Sequence, residues 1–255
     1  MKTKTLVHKT FAAIIFSVFL MKTITIQALT LDQLKRVDRI AEIHETAVDE
    51  VLKTSKWLED VCLADGKDDE CFAQLSRVNF FYAVDHDKKD ERIKRYQKAI
   101  DAADKSLALN TKNITANFWK AAAIGKQGLD IGISKAFGNA PAMKKHLEII
   151  LSIDEKFEQA GAHRAMGRLY YELPGWPFSF GSFPKALEHM KKAVALAPEH
   201  YGNRIYYAQA ELKHTGNKDL ARPQIEAVLN MKDDPQHRIE QTEFRELALE
   251  LKKKL

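Results

Sequence analysis

From Leu29 onward, apolar residues recur at intervals of three and four, and strict alternation is nearly absent. That is the period of helices with one buried face, not of strands. Leu31, Leu34, Val37, Ile40, Ala41, Ile43 and Ala47 form the first such stripe, and Thr30 stands before it as a cap. With 11 Gly and 7 Pro in 255 residues, the chain carries few helix breakers. The pattern predicts an all-α protein built from long helices.

Self-comparison adds a repeat. The segment beginning Lys98-Ala99-Ile100-Asp101-Ala102-Ala103 resembles the one beginning Lys185-Ala186-Leu187-Glu188-His189-Met190. Further copies fit at Met143, Leu147, Ile150 and Ile153, and at Ala221, Ile225 and Val228. The starting positions Ala99, Met143, Ala186 and Ala221 are 44, 43 and 35 residues apart. The last step is close to the tetratricopeptide period of about 34 residues. Ala186, Met190, Ala193 and Pro198 have the spacing of the second helix of such a repeat. Gly167 followed by Leu169 and Tyr170 suits the first. Small residues let paired helices approach, and proline stops the second helix because it cannot continue the hydrogen-bond ladder. The expected fold is a tetratricopeptide-like helical-hairpin solenoid, continuous from residue 29. Its repeats are degenerate over 29–110 and clearer over 111–255, and a last helix starting at Asp234-Pro235 and reaching about Leu251 caps the stack.

Two insertions interrupt the period. One runs between Gly125 and Ala142, and the other between Glu172 and Lys185. Both mix glycines with aromatics and end in Pro141 or Pro184, so both read as long loops on one edge of the solenoid. Phe137, Trp176, Phe178, Phe180 and Phe183 are their aromatics, more than a solvated loop usually carries. Either they fold back to seal the solenoid's open side, or they form a surface for a ligand or partner.

Residues 1–28 have a different character. Lys2, Lys4 and Lys9 precede an apolar run from Phe11 to Met21, and Ile26-Gln27-Ala28 offers a cleavage site. This is the order of a secretory signal peptide cut near Ala28. An uncleaved membrane anchor is the alternative. Export would place the protein in a periplasmic or secreted compartment, where Cys62 and Cys71 could pair across the polar turn around Gly66. It also explains the charge. The whole chain carries +5, but residues 1–28 hold four Lys and no acid, so the remainder is nearly neutral. The charge then gives no case for nucleic acid, or for a membrane beyond an uncleaved N-terminal segment.

The stretch from Ala162 to Gly181, with Leu173-Pro174-Gly175-Trp176-Pro177 at its heart, resembles the T-component family of TRAP transporters. Phe118-Trp119-Lys120-Ala121-Ala122 and the insertion to Pro141 are similar as well. The resemblance spans about residues 112–230. It implies a periplasmic tetratricopeptide adaptor beside a solute-binding protein, with a hydrophobic or organic-acid ligand in a central hole. Members are typically lipoproteins, whereas this chain has no cysteine at the cleavage point. A second similarity is to the microtubule-dynamics regulators, helical-repeat proteins with a similar inserted repeat. The signal-like N-terminus argues against that family.

The chemistry is sparse. His44-Glu45 lacks the second histidine of a helical zinc protease, and Gly125, Gly128 and Gly132 make no dinucleotide fingerprint. No catalytic residue, metal ligand set or cofactor is expected, and the chain reads as a non-enzymatic binding protein. The candidate ligand or partner residues are the five loop aromatics, Trp119, Arg164 and Arg168. The two arginines lie one turn apart and could hold a carboxylate or pair with the neighbouring repeat. His163 and His189 could add a polar contact to an anionic ligand, or be satisfied within the fold. Tyr201, Tyr206 and Tyr207 read as packing positions.

Overall fold

The structure, a computed structural model, describes residues 29–233 and 238–255. The signal-like segment 1–28 and the Asp234-Pro235 helix start lie outside the described residues. Eleven helices are described: α1 (Leu31–Ile43), α2 (Val48–Asp65), α3 (Asp69–Val84), α4 (Lys89–Leu109), α5 (Ile114–Ile131), α6 (Ile133–Ile153), α7 (Phe157–Glu172), α8 (Phe183–Leu196), α9 (Tyr201–His214), α10 (Lys218–Leu229) and α11 (Arg238–Lys252). The pairs α3/α4, α5/α6, α7/α8 and α9/α10 are antiparallel hairpins stacked in chain order, and α11 packs on α9 and α10. This is a tetratricopeptide-like solenoid. The four starting positions found by self-comparison fall on the second helices α4, α6, α8 and α10.

The caps follow local chemistry. The Thr30 hydroxyl accepts from the Gln33 amide and the Gln33 side chain accepts from the Thr30 amide, a reciprocal box at the start of α1. Asp68, Asn113 and Asn217 cap α3, α5 and α10 in the simpler way. Gly66 ends α2 with φ 67°, a left-handed conformation that glycine adopts without a Cβ penalty. That turn brings Cys62 and Cys71 together as a disulfide, with Cα atoms 5.5 Å apart.

Side chains from successive pairs form the core. Phe118, Trp119, Leu147, Ile150, Met166, Tyr170, Met190 and Tyr207 belong to one cluster spanning α5 to α9. A second cluster, with Val37, Ile40, Leu58, Phe72 and Val78, binds α1 and α2 to α3. Gly167 shows why the repeat needs a small residue. A Cβ there would sit 2.7 Å from Met190 Cγ, so the α7 backbone packs directly on a side chain of α8.

The first expected loop is not a loop. Residues 125–142 extend α5 and α6 until they meet at Gly132, the one break between them. Two of its glycines, Gly125 and Gly128, are packing residues. A Cβ on Gly128 would lie 2.9 Å from Ala136 Cα, and one on Gly125 would lie 2.7 Å from Met143 Cε. Close helix approach, not chain reversal, is what they serve. Pro141 falls inside α6 instead of opening it. The second insertion is a loop, Leu173 to Ser182, with a cis peptide at Trp176-Pro177.

Candidate functional site

Polar and aromatic side chains of α3, α7 and α9 form a strip that α1 contacts at α3 and α11 contacts at α9. Arg77 of α3 donates to Asp38 of α1 at 2.8 Å, and its guanidinium lies 6.0 Å from the Phe81 ring. His44 of α1 stacks on Phe81 with centroids 4.5 Å apart and hydrogen-bonds Asp85 at 2.6 Å. Arg168 of α7 donates to Gln209 of α9 at 2.7 Å, pairs with Glu172, and lies 4.4 Å over the Tyr206 ring. Tyr206 meets Phe244 of α11 edge-on.

Arg164 is the deepest member. Its Nη1 donates to Asn203 Oδ1 at 3.0 Å and to the Gln159 carbonyl at 3.2 Å. Burial depresses its pKa, and Glu240, Tyr206 and Glu158 oppose that shift. Burial raises the Glu158 carboxyl above the ordinary carboxylate range, although Arg77 and Arg164 pull it down. Burial likewise raises the Tyr206 phenol. All three side chains are half-buried.

The backbone under this strip is strained. Glu158, Gln159 and Ala160 have φ of 49°, 53° and 60°, three consecutive left-handed residues without a glycine. Each costs about 1–3 kcal/mol. Asn203 offsets that cost. Its amide group donates to the carbonyls of Gln159, Ala193 and Ala197 at 3.0–3.1 Å, and its oxygen accepts from Arg164. One fully buried asparagine thus ties the strained turn, the end of α8 and the guanidinium together.

The sequence candidates divide. Arg164 and Arg168 do contact the neighbouring repeat, but through the amides of Asn203 and Gln209, not through a salt bridge to it. Trp119 is a core residue, 5% exposed and packed 5.0–5.1 Å from Phe80, Phe81 and Phe118. It lies beneath the strip, its ring 5.9 Å from the Arg77 guanidinium. Phe180 folds back on Tyr170, and Phe183 lies near Tyr171 and His214. Trp176 and Phe178 are 90% and 86% exposed, and Phe137 is 38% exposed on α6. The five aromatics therefore do not make one cover over a cavity. The sequence reading missed Asn203, Glu158, Arg77 and Tyr206 as site residues. Arg77 and Tyr206 were findable from their register on the first helix of a repeat.

His163 and His189 meet, Nδ1 to Nδ1, at 2.9 Å, and His189 stacks on Tyr170. Glu155, Glu188, Lys185 and Lys192 surround the pair. Burial, reinforced by His163, holds the His189 pKa down at about 4, and burial lowers His163 too. Both imidazoles are therefore neutral in the fold, and the unfolded chain binds more protons between about pH 6.5 and 4. Their contribution to stability is fully present above that window and is lost as pH falls through it. In thermal melts of wild type and His189→Phe, the variant should be the less stable at pH 7, because His163 loses its partner. The gap should narrow by pH 4.5. A gap that stays constant with pH would refute the assignment.

Among solved structures the chain is similar to a MamA RS-1 ArsTM double mutant, with 16% identity and a TM-score of 0.48, over 89% of this chain and 97% of that one. It is also similar to yeast Tom70, with 13% identity and a TM-score of 0.31, over 81% of this chain and 60% of that one. No curated protein matches. The TRAP T-component resemblance finds no support among these comparisons. The family model that matches describes the other family named from the sequence, "Regulator of microtubule dynamics protein 1-3", and it aligns with residues 33–254. A match over that much of the chain shows that the protein belongs to the regulator of microtubule dynamics protein 1-3 family.

Proposed function

We propose that the protein is a non-enzymatic adaptor that holds a segment of a partner protein along the inner face of the solenoid. The supporting observation is the strip of half-buried Arg77, Glu158, Arg164, Arg168 and Tyr206 on α3, α7 and α9, with Arg168 lying 4.4 Å over the Tyr206 ring. Arginines and tyrosines of this kind dominate binding energy in protein interfaces. Carried to this chain, the family's description makes the partner a protein of the microtubule system. The reading as an accessory of a TRAP-type transporter, contacting a solute-binding protein and a small hydrophobic or organic-acid ligand, rests on the sequence resemblance over about residues 112–230, with the Leu173-to-Pro177 motif at its heart. Trp176 within that motif faces solvent, not a cavity.

A photo-reactive phenylalanine analogue at Tyr206 should crosslink the partner in cells, and the same analogue at Lys191, exposed on α8, should not. Equal capture from both positions would defeat the inner-face reading. Sequencing the N-terminus of the purified protein decides the compartment. A chain beginning at Leu29 would support export to a periplasmic or secreted space and exclude a cytoskeletal partner. An intact one would make Phe11–Met21 an anchor.

A further inference from the structure

Two apolar prominences project from one edge of the stack. The rings of Phe118 and Phe157 touch 5.7 Å apart, and a Cβ on Gly161 would strike Phe118. This packs α5 against α7 near their N-terminal ends. From that contact α5 runs on to Ile131 and α7 to Glu172, roughly 16–20 Å at 1.5 Å per residue. Their far ends share the edge. At the end of α5, Leu129, Ile131 and Ile133 are 62%, 47% and 61% exposed around Gly132. At the end of α7, Trp176 and Phe178 stand almost fully exposed.

The second prominence is held rigidly. Phe178 and Ser179 donate backbone bonds to Gly175, Gly181 to Pro174, and Ser182 to Tyr170. A Cβ on Gly181 would fall 1.9 Å from the Leu173 carbonyl oxygen, so the two strands of the loop are in backbone contact. A fixed loop that exposes an indole and a phenyl ring is not using them for its own stability.

Lysines flank both prominences. Lys126 and Lys135 flank the first and are exposed. Lys185 and Lys213 flank the second, their ammonium groups 5.5 Å and 4.5 Å from the rings of Tyr170 and Tyr171. The acids that end α5 and α7 are paired: Asp130 with Arg92 and Glu172 with Arg168. We infer that this edge docks on an anionic bilayer surface, with Trp176, Phe178, Ile131 and Ile133 entering the headgroup boundary and the lysines facing lipid phosphates. Indole rings favour that boundary, and lysines gain most from an anionic leaflet. Convex prongs suit a deformable plane better than the grooved surface of a folded protein.

The full chain should co-sediment with phosphatidylcholine vesicles containing about a third phosphatidylserine, and less in high salt. Binding to pure phosphatidylcholine should be at least about ten-fold weaker. Trp176→Ala with Phe178→Ala, and separately Ile131→Ser with Ile133→Ser, should each lower partition about ten-fold or more. Lys135→Glu with Lys185→Glu should abolish the phosphatidylserine preference. Trp176→Phe should keep binding but lose the blue shift of tryptophan emission on vesicles. All these positions are exposed, and circular dichroism checks that the variants fold. Variants that bind as wild type would assign membrane binding to residues 1–28 and overturn the proposal. So would a wild type indifferent to phosphatidylserine, or capture of a protein at Trp176 with no vesicle binding.

Discussion

Asn203→Ala is expected to destabilise the protein by about 3–5 kcal/mol, measured by urea unfolding against wild type. The asparagine is 1% exposed, and its loss removes one hydrogen bond from each of three backbone carbonyls and one from a guanidinium. Each such bond contributes about 0.5–1.5 kcal/mol, and more where a partner is charged. The strained turn at Glu158 to Ala160 adds to the effect, because the bond to Gln159 holds it. Asn203→Asp sharpens the test. It keeps the acceptor for Arg164 but removes the amide donors and places a carboxylate against carbonyls. It should also destabilise, with the Arg164 contact retained. If Asn203→Ala changes stability by less than about 1 kcal/mol, the turn is held by something else.

The second large effect concerns the disulfide. Cys62 and Cys71 enclose a loop of sequence separation 9. Closing a loop of that size constrains the unfolded chain by about 3 kcal/mol in the chain-entropy model. Both sulfurs are buried, so serine replacements would add a polar penalty. Cys62→Ala with Cys71→Ala is the cleaner variant and should lose roughly 2–4 kcal/mol. Wild type in a reducing buffer should fall toward the same value. Because α1 and α2 pack on α3 through the cluster around these cysteines, the loss should appear first as amide exchange in residues 31–65. Uniform exchange across the chain would contradict that ordering.

How far the sequence led can be judged from particular residues. Ala99, Ala186 and Ala221 marked the second helices because each sits where two helices meet and no larger side chain fits. The cysteine pair was readable because the polar turn and Gly66 leave little choice of geometry. Gly125 and Gly128 misled, since glycine among apolar residues suggests a loop, and only Met143 and Ala136 across the interface reveal a packing role. The Leu173-to-Pro177 motif misled about family for a related reason. It records how one loop closes on itself through Gly181, and says little about what the inner face holds. Trp119 seemed a binding residue because its burial depends on three phenylalanines from two helices. Asn203 gave no signal at all. An asparagine in a helix is ordinary until the carbonyls it must satisfy are in place, and those come from residues 159, 193 and 197.

The contact between α1 and α11 has a consequence in time. The Glu240 amide donates to the Glu45 carboxylate at 3.1 Å, a link across 195 residues. Glu240 also lies close enough to Arg164 to oppose the effect of its burial. During synthesis, the hairpins from α3 to α10 can form as they leave the ribosome, each on the one before it. The inner face cannot be completed in that order, because one of its walls is made only after all the hairpins. A nascent chain stopped before α11 would carry stacked repeats with the strip of Arg164, Arg168 and Tyr206 still open on the side that Glu240 and Phe244 cover.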